Sequence, residues 1–225
     1  KTPGDFAPEI VDVLKTFATQ SALAIHNAHL FRELEAKSRL LEAATRVFAS
    51  GGYGGASVDQ IAAEAGFSKG AFYSNFETKE AIFLELLGRH KAREVEQLNA
   101  ILADDGSAES MLSALDRWLD VLNVDANWSL LAAELQLHAL RSPAFASAYK
   151  ALNDDHEQQL AGLIAKLFQR AGKALPAKAS ELAILMMALA HGLALQRAER
   201  PTQSDPFGKL IKLVLQSLLK SAARR

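Results

Sequence analysis

Ser57 and Gln60 stand three residues apart just ahead of Ile61, Ala62 and Ala65, and Gly66 is followed two residues later by Ser68. A Ser with a Gln at the third helical position is a capping box, which opens a helix by satisfying its first free N–H groups. A Gly directly after the last apolar residue is a C-terminal cap that adopts a left-handed backbone, and Ser68 caps the next helix. Two helices joined by so short a turn must cross steeply, as in a helix-turn-helix. Ahead of them, Leu41, Ala44, Val47 and Phe48 share one helix face that ends at Gly51 and Gly52. Behind them, Thr78 caps a further helix with Lys79 in its first turn.

The rest of the chain offers no competing strand pattern. Its 225 residues include 41 Ala and 35 Leu against 8 Val, 8 Ile and 6 Thr, a balance that favours helix over sheet and predicts an all-α protein. From Glu9 to Ser50 there is neither Gly nor Pro, and Pro8 suits a first helical position. Within this stretch Ile10, Leu14, Phe17, Ser21, Ala24, Ala28 and Phe31 form a seam that lapses at Glu35 and Ser38, so a boundary or kink is expected near Lys37 and Ser38. Such a seam needs a partner surface, either its own domain or the equivalent helix of a second subunit. After His90, amphipathic helices are expected at Ser107 to Val124, Asn127 to Arg141, Pro143 to Gly172, Ala177 to Ala198 and Asp205 to Ala222. Separators fall at 104–106, Ser142-Pro143, Gly172 to Pro176 and 201–206. Three units follow: 1–37, 38–89 and 90–225.

The short helix from Lys69 to about Asn75 suits a DNA groove. Gly70 and Ala71 let the backbone approach, and Lys69 can reach a guanine edge or a phosphate. The Ala71 methyl can touch a thymine methyl, and the Tyr73 hydroxyl can bond a phosphate. Lysine is unfavourable in the first turn of a helix, so Lys79 is expected to serve function, as a phosphate contact. The surrounding block is not basic: Arg39, Arg46, Lys69, Lys79 and Arg89 face Glu42, Asp59, Glu64, Glu77, Glu80 and Glu85. Any DNA contact therefore depends on placement rather than net charge.

The run Arg39-Leu-Leu-Glu-Ala-Ala-Thr-Arg-Val-Phe48, Gly51-Gly-Tyr53, Ser57-Val-Asp-Gln-Ile-Ala-Ala63, Ala65-Gly-Phe-Ser-Lys-Gly-Ala-Phe-Tyr73, Phe76 and Lys79-Glu-Ala-Ile-Phe83 closely resembles the DNA-binding domain of TetR-type transcriptional repressors. The helical remainder, including Gly192-Leu-Ala-Leu-Gln196, resembles the effector-binding and dimerisation domain of that family more loosely. The resemblance implies a homodimer on palindromic operator DNA that is released by a small-molecule effector. Ser57, Ser68, Lys69, Gly70, Ala71, Tyr73, Asn75 and Lys79 would then be the DNA-binding residues. Ala71 and Ser74 depart from the hydroxyl and bulky residues common at those places, which leaves the operator sequence open. Residues 6–36, with Phe17-Ala18, Gln20-Ser-Ala22, Ala24-Ile25, Asn27-Ala28 and Leu30-Phe31, resemble the closing helix of a GAF domain. Without the GAF sheet they imply no GAF ligand pocket.

Other features bound the function further. The chain has no cysteine and a net charge of −1, which excludes disulfides and thiolate chemistry and gives no global signal for an acidic partner. The longest apolar run, Leu182 to Ala190, is far below the ~20 residues that span a bilayer. With no signal-peptide pattern at the N-terminus, no membrane role and a cytoplasmic protein are expected. An effector cavity, mostly apolar with a few polar groups, is expected from Met111, Trp118, Trp128, His138, Phe168, Met187 and His191. The tail stripe Leu210, Leu213, Val214, Ser217 and Leu218 suits a dimer helix, so the dimer is expected through about 177–198 and 205–222. His26 and His29 lie three apart without a third ligand, so no metal and no cofactor are expected. No catalytic motif is present and no enzyme is expected; a helical adaptor or an enzyme of unrecognised type is the alternative, separated by operator binding and turnover.

Overall fold

The computed structural model describes residues 7–103, 108–122, 126–199 and 207–223. Among them the chain forms the helices α1 (Pro8–Gly55), α2 (Val58–Ala65), α3 (Lys69–Tyr73), α4 (Lys79–Ala103), α5 (Ala108–Leu122), α6 (Ala126–Arg141), α7 (Pro143–Arg170), α8 (Ala179–Glu199) and α9 (Phe207–Ser221). The all-α expectation holds. The separators at 104–106 and 201–206, and the expected helix ends Ser107, Val124 and Asp205, lie outside the described residues.

The C-terminal part of α1 packs with α2, α3 and α4 around a shared core. Leu40, Phe48, Ile61, Phe72, Ile82 and Phe83 are the large side chains fully buried in it. The aromatic rings of Phe48 and Phe83 meet edge-on at 4.7 Å between centroids, a favourable geometry beyond their buried area. This core continues without a break into Leu131 and Leu135 of α6 and Phe145 of α7, and α4 runs straight through the boundary expected at 89/90. The helix-turn-helix is therefore seated on the bundle by shared packing as well as by covalent continuity. Within the bundle α7 packs on α4 and α8, and α9 packs on α5 and α8.

Two expectations about the first block are corrected. No break occurs near Lys37 and Ser38: α1 continues through both, and its non-helical residue is Gly52. Loss of an apolar seam ends packing, but it removes no backbone hydrogen bond, so the helix persists. Lys37 instead anchors this point, with Nζ 2.7 Å from the Glu85 carboxylate of α4. Nor does the seam pack on its own domain. Phe17 is 68% and Phe31 73% exposed, and the helix from Pro8 to about Ala36 projects from the body with its apolar side chains in solvent.

α8 is long and apolar enough to cross a membrane by length and composition alone, although its longest uninterrupted apolar run is only Leu182 to Ala190. It packs on α6, α7 and α9, while Ile184, Leu185 and Leu195 remain exposed.

Candidate nucleic-acid interface and ligand cavity

The helix-turn-helix is capped as the residue spacing requires. Ser57 Oγ accepts from the Gln60 N–H at 3.2 Å, and the Ser57 N–H donates to Gln60 Oε1 at 2.9 Å. Gly66 closes α2 at φ 74°, the left-handed region that glycine enters without steric cost. Arg39 completes that end: its Nη2 donates to the Ala65 carbonyl at 2.8 Å. Ser68 Oγ then accepts from the Ala71 N–H at 3.2 Å and starts α3. Both serines thus spend their hydroxyls on caps.

On the outer face of α3, Lys69, Gly70 and Tyr73 are exposed, with Ala71 partly covered. Lys69 Nζ lies 2.9 Å from Asp59 Oδ2, and that hydrogen bond, then the charge of Asp59, raises its pKa above the ordinary lysine value. An exposed pair of this kind contributes little to stability, so a phosphate or base can displace Asp59. Asn75 is different. Its Nδ2 donates to the Ala71 carbonyl at 2.8 Å in a partly buried site, which ties the amide to its own helix.

Lys79 also departs from the expectation of a purely functional lysine. Its Nζ donates to the carbonyls of Tyr53 and Ala56, each at 2.9 Å, and stands 4.3 Å from the centre of the Tyr53 ring. It holds the carbonyls that α1 leaves unsatisfied at its end. The unfavourable position in the first turn of α4 thus has a structural reason.

The junction with the bundle is polar and specific. The Tyr53 N–H donates to Glu134 Oε2 of α6 at 2.6 Å. His138 packs between the rings of Tyr53 and Phe145, with Nε2 3.5 Å from Glu80 Oε1. His138 is therefore part of this junction rather than of a ligand cavity.

Two adjoining cavities lie deeper in the bundle. The first, with about 860 Å³ of unfilled space including its mouth, is walled by apolar side chains, among them Leu98, Leu115, Trp118, Leu163, Met187 and Ile211. The second, about 730 Å³ counted in the same way, adds polar groups: Lys91, Asn153, His156, His90 and His191 beside Trp128. Glu94, Leu160, Met187 and Ala190 line both. Of the expected effector residues, Trp118, Trp128, Met187 and His191 stand in these walls. Met111 and Phe168 do not: they are 2% and 1% exposed and packed into core clusters, where their volume fills space rather than lining it.

The polar group was missed. Lys91 Nζ donates to Asn153 Oδ1 at 2.7 Å and approaches His156 Nδ1 at 3.4 Å, while His156 Nε2 is 3.4 Å from Glu94 Oε2. Burial lowers Lys91 to about 8 against the pull of Glu94. It raises Glu94 to about 7, and together with the Lys91 charge it lowers His156 to about 4. The available signal was Lys91 and Glu94 falling among Leu87, Val95 and Leu98 on the apolar stripe of α4. Among the described residues no cluster of three or more metal-type side chains occurs.

A capped helix-turn-helix packed on a helical bundle that holds two adjoining cavities is an architecture suited to contacting DNA. Residues 40–86 match the family described as bacterial regulatory proteins, tetR family, so the helix-turn-helix segment of the chain is similar to the regulators of that family. It is 37% identical over 79 residues to the transcriptional repressor AcnR of Corynebacterium diphtheriae, covering 35% of this chain and 40% of that protein. The chain thus matches about two fifths of that curated relative's length. Its fold resembles that of a TetR-family regulator of Mesorhizobium loti, with a TM-score of 0.66, 20% identity and coverage of 85% of this chain and 98% of the other. It also resembles FadR of Bacillus subtilis in complex with stearoyl-CoA, with a TM-score of 0.62, 20% identity and coverage of 81% and 97%. The family match leaves residues 6–36 outside, and nothing in the comparisons supports their likeness to a GAF helix.

Proposed function

We propose that this regulator binds an inverted-repeat operator as a homodimer in the cytoplasm, represses from it, and is released by a small molecule held in the two adjoining cavities. One observation carries the reading. α4 is a single unbroken helix with Lys79 at its start, under the DNA-reading unit, and Lys91 and Glu94 in the cavity wall, roughly 20 Å further along at 1.5 Å per residue. A ligand that changes the seat of α4 thereby moves the helix-turn-helix.

Lys69, Gly70, Ala71 and Tyr73 form the reading face, with Ser57, Ser68 and Lys79 shaping it. Asn75 drops out. Trp118, Trp128, Met187 and His191 belong to the effector site together with Lys91, Glu94, Asn153 and His156. The dimer forms through α8 and α9, whose exposed Ile184, Leu185, Leu195 and Leu213 give it an apolar contact. The unit boundaries follow as 38–89 for reading and 90–225 for effector and dimer, with 1–37 as a helical projection. That FadR of Bacillus subtilis was crystallised with stearoyl-CoA supports an apolar effector.

The test is selection of genomic fragments by the purified chain, followed by footprinting. An inverted repeat with half-sites about 34–36 Å apart is expected. Equal retention of all fragments and bulk DNA overturns the reading.

A further inference from the structure

The chemistry of the cavity specifies more than an apolar effector. Lys91 is 9% exposed, and its ammonium has three donors. One is spent on Asn153 and one points at the His156 ring nitrogen. Among the described residues no carboxylate lies within ion-pair distance of Lys91. A buried cation without a direct counter-ion is costly, and a carboxylate brought next to it recovers that cost as a charge-assisted hydrogen bond.

Glu94 stands at the junction of the two cavities and decides between ligand charges. As an ionised neighbour it would favour an amine. Burial, however, holds its proton up to about pH 7, and a protonated Glu94 can donate to an incoming carboxylate rather than repel it. An amine, in contrast, would meet the Lys91 ammonium at close range. A neutral alcohol would satisfy one donor and leave the charge unmatched. Beyond Glu94 the wall becomes apolar through Leu98, Leu102, Leu115, Leu163 and Leu167, which offers a molecule anchored at Lys91 nowhere to place a second polar group.

Resting on the effector-site reading above, we propose that the ligand is an elongated apolar monocarboxylic acid, its carboxylate on Lys91 and its tail among Leu98, Leu115 and Leu163. The two tryptophans of the chain report the orientation, since Trp118 lines the apolar cavity and Trp128 the polar one.

The probes are decanoate, decanol and decylamine, each below its micelle concentration, titrated calorimetrically into the full chain. Decanoate is expected to bind at least tenfold more tightly than either of the others. In Lys91→Met the acid should lose its advantage and bind no more tightly than the alcohol. A terminally brominated decanoate should quench Trp118, seen alone in Trp128→Phe, more than Trp128, seen alone in Trp118→Phe. Equal or better binding of alcohol or amine by the wild-type chain, or the reverse quenching order, overturns the inference without touching the cavity as effector site; neither measurement depends on the Lys91 variant folding. Failure of all three probes to bind removes the cavity reading itself.

Discussion

Gly52 is the point at which the junction between the reading unit and the bundle can be broken with one carbon atom. Its backbone, φ 67° and ψ 177°, lies in a region essentially reserved for glycine, where any other residue costs about 1–3 kcal/mol. An added Cβ would also sit 2.7 Å from Glu134 Oε1 and 3.1 Å from Oε2, closer than carbon and oxygen approach without repulsion. Glu134 can swing away, but only by giving up its hydrogen bond to the Tyr53 N–H. Hydrogen bonds to charged groups contribute about 1.5–3 kcal/mol, and the exposed side of Glu134 reduces this by roughly half. Gly52→Ala is therefore expected to cost about 2–4 kcal/mol, which for a chain of this size lowers the melting temperature by roughly 5–15 °C.

The assay is thermal unfolding by circular dichroism of Gly52→Ala, Glu134→Ala and the double variant, with Gly51→Ala as control. Gly51 has a negative φ and space for a methyl group, its nearest neighbour being the Ala56 nitrogen at 3.9 Å, so that variant should stay within about 1 kcal/mol of wild type. Because both single changes remove the same bond, the double variant should lose less than their sum by at least about 0.5 kcal/mol. A Gly52→Ala melting point within 2 °C of wild type, or strict additivity, refutes the reasoning.

Other outcomes separate structural from functional side chains. Lys79→Met should melt lower by an amount equivalent to about 2–3 kcal/mol even without DNA, since it strips the cap from two carbonyls; unchanged melting would return Lys79 to a phosphate-only role. Lys69→Ala should melt like wild type, yet weaken DNA binding and reduce its salt slope by about one unit, which electrophoretic titration at several salt concentrations reads directly. His156, facing Lys91, Glu94, His90, His191 and Asp155, has a folded pKa lowered from 6.5 to about 4, so its contribution is present above pH 6.5 and lost as pH falls through 4. Relative to His156→Gln, urea unfolding of the wild type should therefore lose up to about 3 kcal/mol between pH 6.5 and 4. Removal of residues 1–36 should leave the melting temperature within 2 °C, because that helix buries none of its large apolar side chains in its own chain; a drop of many degrees would place it in the fold.

The legible part of the molecule was the part written in local contacts. Ser57, Gln60, Gly66 and Ser68 act within four residues of themselves, so their caps can be read without a third dimension. Lys79 shows the limit of that approach: its position argued against the isolated helix, and the reason turned out to be two carbonyls more than twenty residues earlier. His138 was visible as a polar residue in an apolar helix, but only the fold shows that its neighbours are Tyr53 and Phe145 rather than a ligand. The Lys91, Glu94 and His156 cluster was hidden for the same reason. Lys91 and Glu94 lie on the apolar stripe of α4, but nothing along the chain says what faces them, and the cavity exists only when α7 brings Asn153 and His156 against α4.

Under the proposed function, these long-range contacts also offer a route by which a ligand can act on DNA binding. The helix-turn-helix is tied to the bundle at two places, by α4 through Lys79 and by α6 through Glu134 and His138. The cavity touches the same two helices, with Lys91 and Glu94 on α4 and Trp128 at the start of α6. Trp128 stacks on His90 at 4.7 Å between ring centres and packs against the core of the reading unit. A molecule lodged between Lys91 and Trp128 therefore presses on both ties at once. It shifts the orientation of the reading heads only to the extent that it binds one seating of α4 against α6 better than the other, since equal affinity for both moves nothing. If the proposed function holds, the junction at Gly52, Tyr53 and Glu134 is where ligand binding and operator binding exchange free energy, and weakening it should reduce the effect of a bound ligand on DNA affinity before it abolishes either binding event.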